Sequence, residues 1–301
     1  MNRATVAVGR AATSAPAPVS KGVRRIELDA AGTVLSALLS EPARGAPRAT
    51  VVAVHGGGLR AGYFDGQAHP DVSLLTLGAR LGCSVLAVDR PGYGRSAAQL
   101  PAGLPLATQS VLLRAALDDF TARHPAGAGL FLLGHSFGGK LVLRAAADGL
   151  PVLGLDVSGC GHRPAVPLTA PRAHQGAPAW TRYWGPLGLY PPGTFRACEA
   201  LTAPVPSQEA AELPHWPRYF ARIAPLVRVP VRLTFAEHER WWRHGAEDLA
   251  DLAARFTGAP RVLVERQPAA GHNISLGWAA RSYHLRALAF LEDCVTRSAP
   301  R

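Results

Sequence analysis

The order of apolar and amphipathic segments predicts an α/β fold: a doubly wound, mostly parallel sheet with a segment inserted after the sixth core strand. Three observations carry this. Short apolar runs alternate with longer stretches of helical spacing, which demands crossover connections and hence parallel strands. The run from Thr50 to Val54 is apolar and β-branched without alternation, as expected of a strand covered on both faces. The chain has 301 residues, 48% hydrophobic and 18% charged, which is ample for one large core.

Taken in order, residues Arg24 to Leu28 and Thr33 to Leu39 read as two short strands around Asp29-Ala30-Ala31-Gly32, an N-terminal hairpin. Thr50 to Val54 is the next strand. Asp71 to Leu81 has helical spacing, Ser84 to Val88 is strand, and Thr108 to His124 is helix. Leu130 to Leu133 is strand, Gly139 to Ala147 helix, and Val152 to Val157 strand. Val229 to Phe235 and Val262 to Glu265 are two further strands separated by a helix from Ala246 to Phe256, and Arg281 to Thr296 closes the chain as a helix. The stretch 161–225 breaks the rhythm. It is rich in Pro and Trp (Trp180, Trp184, Trp216) and shows no period, and aromatic content of that kind argues for a packed cap rather than a structureless loop. The expected organisation is a flexible arm over 1–23, a core over 24–160 and 226–297, and a cap over 161–225.

Composition narrows the class further. No apolar run approaches the ~18 residues of a membrane span. The first 25 residues lack the apolar centre of a secretory signal. Cys83, Cys160, Cys198 and Cys294 have neither metal spacing nor the pattern of a disulfide framework, which suggests free thiols and a cytoplasmic location. The formal net charge is +11, carried almost wholly by arginine, since Lys21 and Lys140 are the only lysines. The arginines are scattered and no nucleic-acid motif accompanies them, so the charge reads as solvated surface, with an acidic carrier protein as the partner it would suit. No H-x-x-H or H-E-x-x-H spacing occurs, and no metal or other cofactor is expected.

The most informative stretch is Gly129-Leu-Phe-Leu-Leu-Gly-His-Ser-Phe-Gly-Gly139. An apolar strand runs directly into Gly134-His135-Ser136-Phe137-Gly138, a G-x-S-x-G followed by helix-forming residues. The serine of such an elbow sits on a strained strand-to-helix turn, flanked by glycines because a Cβ there meets neighbouring backbone. The following helix aims its N-terminus at the site where negative charge develops in acyl transfer. Ser136 is therefore the candidate nucleophile. A serine hydroxyl needs a base, and the best placed is His272 in Ala270-Gly271-His272-Asn273, after the last strand and downstream of the serine. His55-Gly56-Gly57-Gly58 follows a buried strand, and a glycine run of this kind turns backbone N–H groups toward a ligand. Gly57 or Gly58 with Phe137 are thus candidate oxyanion donors.

Together with Asp89-Arg90-Pro91-Gly92-Tyr93-Gly94-Arg95-Ser96, these motifs make the chain resemble an α/β-hydrolase fold protein from about Arg24 to Thr296. The elbow is the variant often seen in thioesterases of polyketide and fatty-acid assembly. The resemblance implies a serine hydrolase acting on an ester or thioester, with Ser136 and His272 completed by an orienting acid. The family places that acid in one of two positions. The turn after the seventh strand holds Ala236-Glu237-His238-Glu239, where Glu239 takes the place, and the end of the sixth strand holds Leu155-Asp156-Val157, where Asp156 does. Both remain open on the sequence. Trp184 and Trp216 of the cap, with Trp241 and Trp242 beside the acid turn, are candidates to wall an apolar pocket for a medium-to-large acyl group. Dehalogenases and epoxide hydrolases of the same family use an aspartate at the elbow, and Ser136 argues against them. Acyl transfer, macrocyclisation or a catalytically silent binding protein are the alternatives on the same fold.

Overall fold

The computed structural model of the chain describes residues 17–168 and 182–298. Most of the expected arm, Trp180 and part of the expected cap lie outside the described residues. Strands β1 (Val23–Ala30) and β2 (Thr33–Ser40) form the hairpin read from the sequence, with full register from Val23–Ser40 to Ala30–Thr33. Six further strands follow: β3 (Thr50–Val54), β4 (Ser84–Val88), β5 (Leu130–His135), β6 (Leu155–Ser158), β7 (Val231–His238) and β8 (Val262–Gly271). They lie in one eight-stranded sheet of order β1-β2-β4-β3-β5-β6-β7-β8. The hairpin joins β4 antiparallel, and every pairing from β4 to β8 is parallel.

The doubly wound arrangement follows from side-chain alternation. Val52, Val54, Leu86, Val88 and Leu132 point to one face, where helices α2 (Leu106–Arg123) and α3 (Phe137–Ala147) contribute Leu113, Phe120, Leu141 and Val142. Val51, Ala53, Val85, Ala87 and Leu133 point to the other, against Leu74 and Leu75 of α1 (Leu74–Arg80) and the C-terminal helix. Each fully buried Leu or Phe contributes about 1.5–3 kcal/mol, so both faces must be covered for the sheet to stand. Most boundaries shift by a residue or a few from the sequence reading, and two of the shifts bear on the site. β6 begins at Leu155 rather than Val152, and β8 extends well beyond Glu265, to Gly271, which carries the chain directly to His272.

Between β6 and β7 the described residues include three short helices, α4 (Thr194–Glu199), α5 (Ser207–Glu212) and α6 (Trp216–Ile223). Trp216, Phe220 and Ile223 of α6 join the main core cluster. After β7 come α7 (Ala246–Ala254) and, closing the fold, α8 (Ala280–Ser298). The inserted segment is tied to the loops at the carboxyl ends of the strands. Ala203 N–H donates to Gly58 O at 2.9 Å, Asn273 N–H to Tyr183 O at 3.1 Å and Trp278 N–H to Leu189 O at 2.8 Å. Among the described residues no helix is long and apolar enough to cross a membrane, and all four cysteines are buried free thiols.

Candidate active site

Strand β5 ends at His135 and α3 begins at Phe137, so Ser136 alone makes the turn. Its backbone lies at φ 52°, ψ −114°, a conformation that costs a non-glycine residue about 1–3 kcal/mol and persists only where neighbours impose it. The imposition is visible. Ser136 N–H donates to Ser158 O of β6 at 2.8 Å, and a Cβ on Gly138 would lie 2.0 Å from Val54 O and 2.6 Å from His55 O. The helix can leave the elbow so closely against β3 only because residue 138 is glycine. Phe137 opens α3, so its N–H has no acceptor within the helix.

His272 follows β8, and its imidazole faces Glu239, which ends the turn after β7. Nδ1 and Glu239 Oε2 are 2.7 Å apart, with the imidazole N–H donating. The second carboxylate oxygen accepts the N–H of Trp241 at 2.8 Å, so the acid is held at both ends. Glu239 and His272 are nearly buried, at 5% and 3% exposure, which shields their contact from water. Gly159 makes room for the ring: a Cβ there would approach His272 Cε1 to 2.8 Å. Two further histidines beside the elbow are excluded as bases. His55 accepts Arg90 N–H at Nε2 and contacts Gly56 O through Nδ1. His135 contacts Ser158 Oγ through Nδ1 and stacks on Tyr63. Burial holds both imidazoles well below their ordinary pKa, helped by Arg90 for His55 and by His272 for His135.

The structure separates the two candidate acids. Asp156 is the second residue of β6, paired in register with Leu133 and Arg232, about two residues below the strand ends where the site lies. Its carboxylate is paired with the Arg232 guanidinium and accepts Tyr283 O–H at 2.7 Å, entirely inside the protein. Burial pushes its pKa up, partly opposed by Arg232. Asp156 is thus a member of a buried ion pair, not the partner of His272.

Ser136 and His272 line a cleft of two lobes that share Gly57, Tyr183 and Val205. The first lobe is narrow and runs between Lys140, Leu168, Leu213, Trp241 and Trp242. The second is wider and is bordered by Gly58, Leu59, Trp184, Pro204 and Asn273. Trp184, Trp241 and Trp242 are therefore where the sequence reading put them, on the pocket wall. Trp216 is not. It is 2% exposed, donates Nε1–H to Gly161 O at 2.7 Å and lines neither lobe. The expected oxyanion loop also divides. Gly58 N–H donates to Tyr93 Oη at 3.1 Å and is already engaged, whereas Gly57 borders both lobes beside Ser136.

That loop is held by Arg90 of the Asp89–Ser96 turn. Its guanidinium donates to His55 O at 2.9 Å and Gly56 O at 3.1 Å, and forms a bidentate pair with Glu209 of α5 at 2.7 and 3.1 Å. One buried ion pair thus joins the glycine loop to the inserted segment. Tyr183, Glu209 and Lys140 were not singled out as site residues from the sequence. Lys140 had a signal: one of two lysines in an arginine-rich chain, four residues after Ser136 and so on the same helix face.

Comparison with known proteins agrees with the fold. Among solved structures, the chain is similar to a soluble variant of monoglyceride lipase from Saccharomyces cerevisiae (TM-score 0.67, 14% identity, 93% of this chain and 99% of that one). It is also similar to a proline iminopeptidase of Mycobacterium smegmatis (TM-score 0.66, 16% identity, 92% and 100%). A thioesterase domain from the curacin biosynthetic pathway aligns with TM-score 0.54 at 20% identity, over 88% and 99%. No curated protein sequence is significantly similar to it. The sequence profile described as the alpha/beta hydrolase family matches residues 51–287, most of the chain, and the protein therefore belongs to the alpha/beta hydrolase family.

Proposed function

We propose that the protein is a serine hydrolase cleaving carboxylic esters or thioesters through an acyl-enzyme. The observation that carries this reading is the Glu239–His272 hydrogen bond beside a strained Ser136 on one pocket wall. Ser136 Oγ attacks the substrate carbonyl carbon while His272 Nε2 takes its proton. Glu239 holds the imidazole in the Nδ1–H tautomer and stabilises the imidazolium that forms. The N–H groups of Phe137 and Gly57 receive the developing oxyanion. Collapse of the tetrahedral species expels the alcohol or thiol, protonated by His272, and a water activated by the same imidazole releases the acid.

Leu168, Val205, Leu213, Trp241 and Trp242 support an acyl group with a sizeable apolar portion, since such walls favour methylenes by about 1–3 kcal/mol each. A soluble, cytoplasmic enzyme drawing thioesters from an acidic carrier protein fits the +11 charge and the thioesterase-like elbow. The test is turnover of an acyl series from acetyl to decanoyl, as esters and thioesters, by wild type, Ser136→Ala and His272→Ala. Medium-length acyl groups should exceed acetyl in kcat/KM, and each variant should lose about 10³-fold or more. More than a tenth of wild-type activity in either variant would remove the assignment.

A further inference from the structure

Lys140 stands in the narrow lobe with no part in the chemistry above. It lies one helical turn after Ser136, and side chains on a helix lean toward its N-terminus, which brings the ammonium back toward the elbow. The residue is 4% exposed. Three aromatic rings surround Nζ: Phe137 at 5.4 Å, Trp216 at 5.3 Å and Trp242 at 5.6 Å from their centroids. No carboxylate side chain closes the ring. All 21 Asp and Glu residues fall within 17–168 and 182–298, and none forms an ion pair with Lys140. Glu209 borders the same lobe, but both its oxygens are engaged by Arg90 and Tyr93, so this neighbour is already neutralised. The Cys160 thiol nearby is pushed up by burial to about 12 and stays neutral. Burial pulls the Lys140 ammonium down to about 8, which leaves it charged at pH 7.

Glu212 and the Arg90 guanidinium also act on the ammonium through space, Glu212 favouring and Arg90 opposing its charge. A buried cation with no ion-pair partner among the described residues is short of solvation, which cation–π contacts recover in part. An anion entering the lobe would supply the rest. Resting on the hydrolase reading, we propose that Lys140 is a specificity-determining residue that receives a terminal carboxylate, so that the preferred acyl group is the half-ester or half-thioester of a dicarboxylic acid. Apolar walls then hold the methylenes between the scissile carbonyl at Ser136 and the carboxylate at Lys140. Trp216, misplaced as a pocket wall by the sequence, has its place here as one side of the ammonium's aromatic enclosure.

The test compares isosteres differing only in the chain end: ethyl hydrogen succinate, glutarate and adipate against ethyl butanoate, pentanoate and hexanoate, at pH 7. The readout is the ratio of kcat/KM for the anionic to the neutral ester, in wild type and Lys140→Met. At least one anionic ester should match or exceed its neutral isostere in wild type, and Lys140→Met should lower that ratio by about tenfold or more, as for loss of a charge-assisted contact. A smaller change, or a wild type that favours every neutral ester, overturns the proposal. Should Lys140→Met not fold, or should no ester turn over and the hydrolase reading itself fail, calorimetric binding of adipamate (the monoamide anion) and its neutral counterpart hexanamide to the wild-type protein decides. Adipamate must bind about tenfold tighter or more, and any smaller ratio overturns it.

Discussion

Two carboxylates that look alike in the sequence have different surroundings, and their amides should behave differently. Glu239→Gln keeps the shape but presents a group that can favour the wrong tautomer of His272, so kcat should drop by about 10²–10⁴-fold with little change in Tm. Asp156→Asn breaks a buried pair with Arg232, which should cost about 3–5 kcal/mol of stability while turnover per folded molecule stays near wild type. Kinetics and thermal melts on the two variants check this, and exchanged outcomes would reverse the assignment. The sequence left the choice open because it hinges on depth along β6. Asp156 sits at the second position of a four-residue strand, and nothing local told where that strand begins. Lys140 was hidden for a related reason: a lysine in a helix usually marks the solvated face, and only the packing of α3 against α6 and Trp242 shows otherwise.

At the level of elements, the elbow was legible because its constraint is local. A strand, a turn at Ser136 and a helix are specified by eleven consecutive residues, and the flanking glycines are demanded by contacts the motif itself creates. Gly138→Ala should therefore prevent formation of the elbow, since its Cβ would meet the backbone of Val54 and His55, which cannot yield as a side-chain tip can. Soluble yield and Tm should both fall sharply. Gly188→Ala, where a Cβ meets nothing within 4 Å, should leave both near wild type. Equal effects would show that the elbow tolerates a different path. The inserted segment was not legible as elements. Its path is held by backbone bonds to distant loops, such as Asn273 N–H to Tyr183 O, and by the Arg90–Glu209 pair, none of which leaves a period in the sequence.

For the whole molecule, the strand–helix alternation carried the sheet and its two covered faces, whereas the chemistry of the buried polar groups had to come from structure. His55, His135 and His284 are neutral inside the fold, with burial the leading cause for each and His284 pulled down to about 3. Unfolded, they would take up protons below about pH 6.5, so their contribution is fully present above that pH and lost as pH falls toward the folded values. Asp89 and Asp156, raised by burial, act in the opposite sense, losing stability as pH rises through their folded pKa values. Comparing unfolding free energies of wild type and His284→Gln isolates one group. Between pH 6.5 and 5 the wild type should lose about 1.6 kcal/mol in total more than the variant, and an equal loss would mean that His284 is not held neutral. The central claim is that this fold presents an activated serine at residue 136, and covalent labelling tests it most directly. The intact protein is incubated with a fluorophosphonate at neutral pH, weighed by mass spectrometry and digested to locate the adduct. The expected result is a single adduct per chain, on Ser136, with none in Ser136→Ala and strongly slowed labelling in His272→Ala. An unlabelled wild type, or an adduct elsewhere that survives Ser136→Ala, would contradict the account.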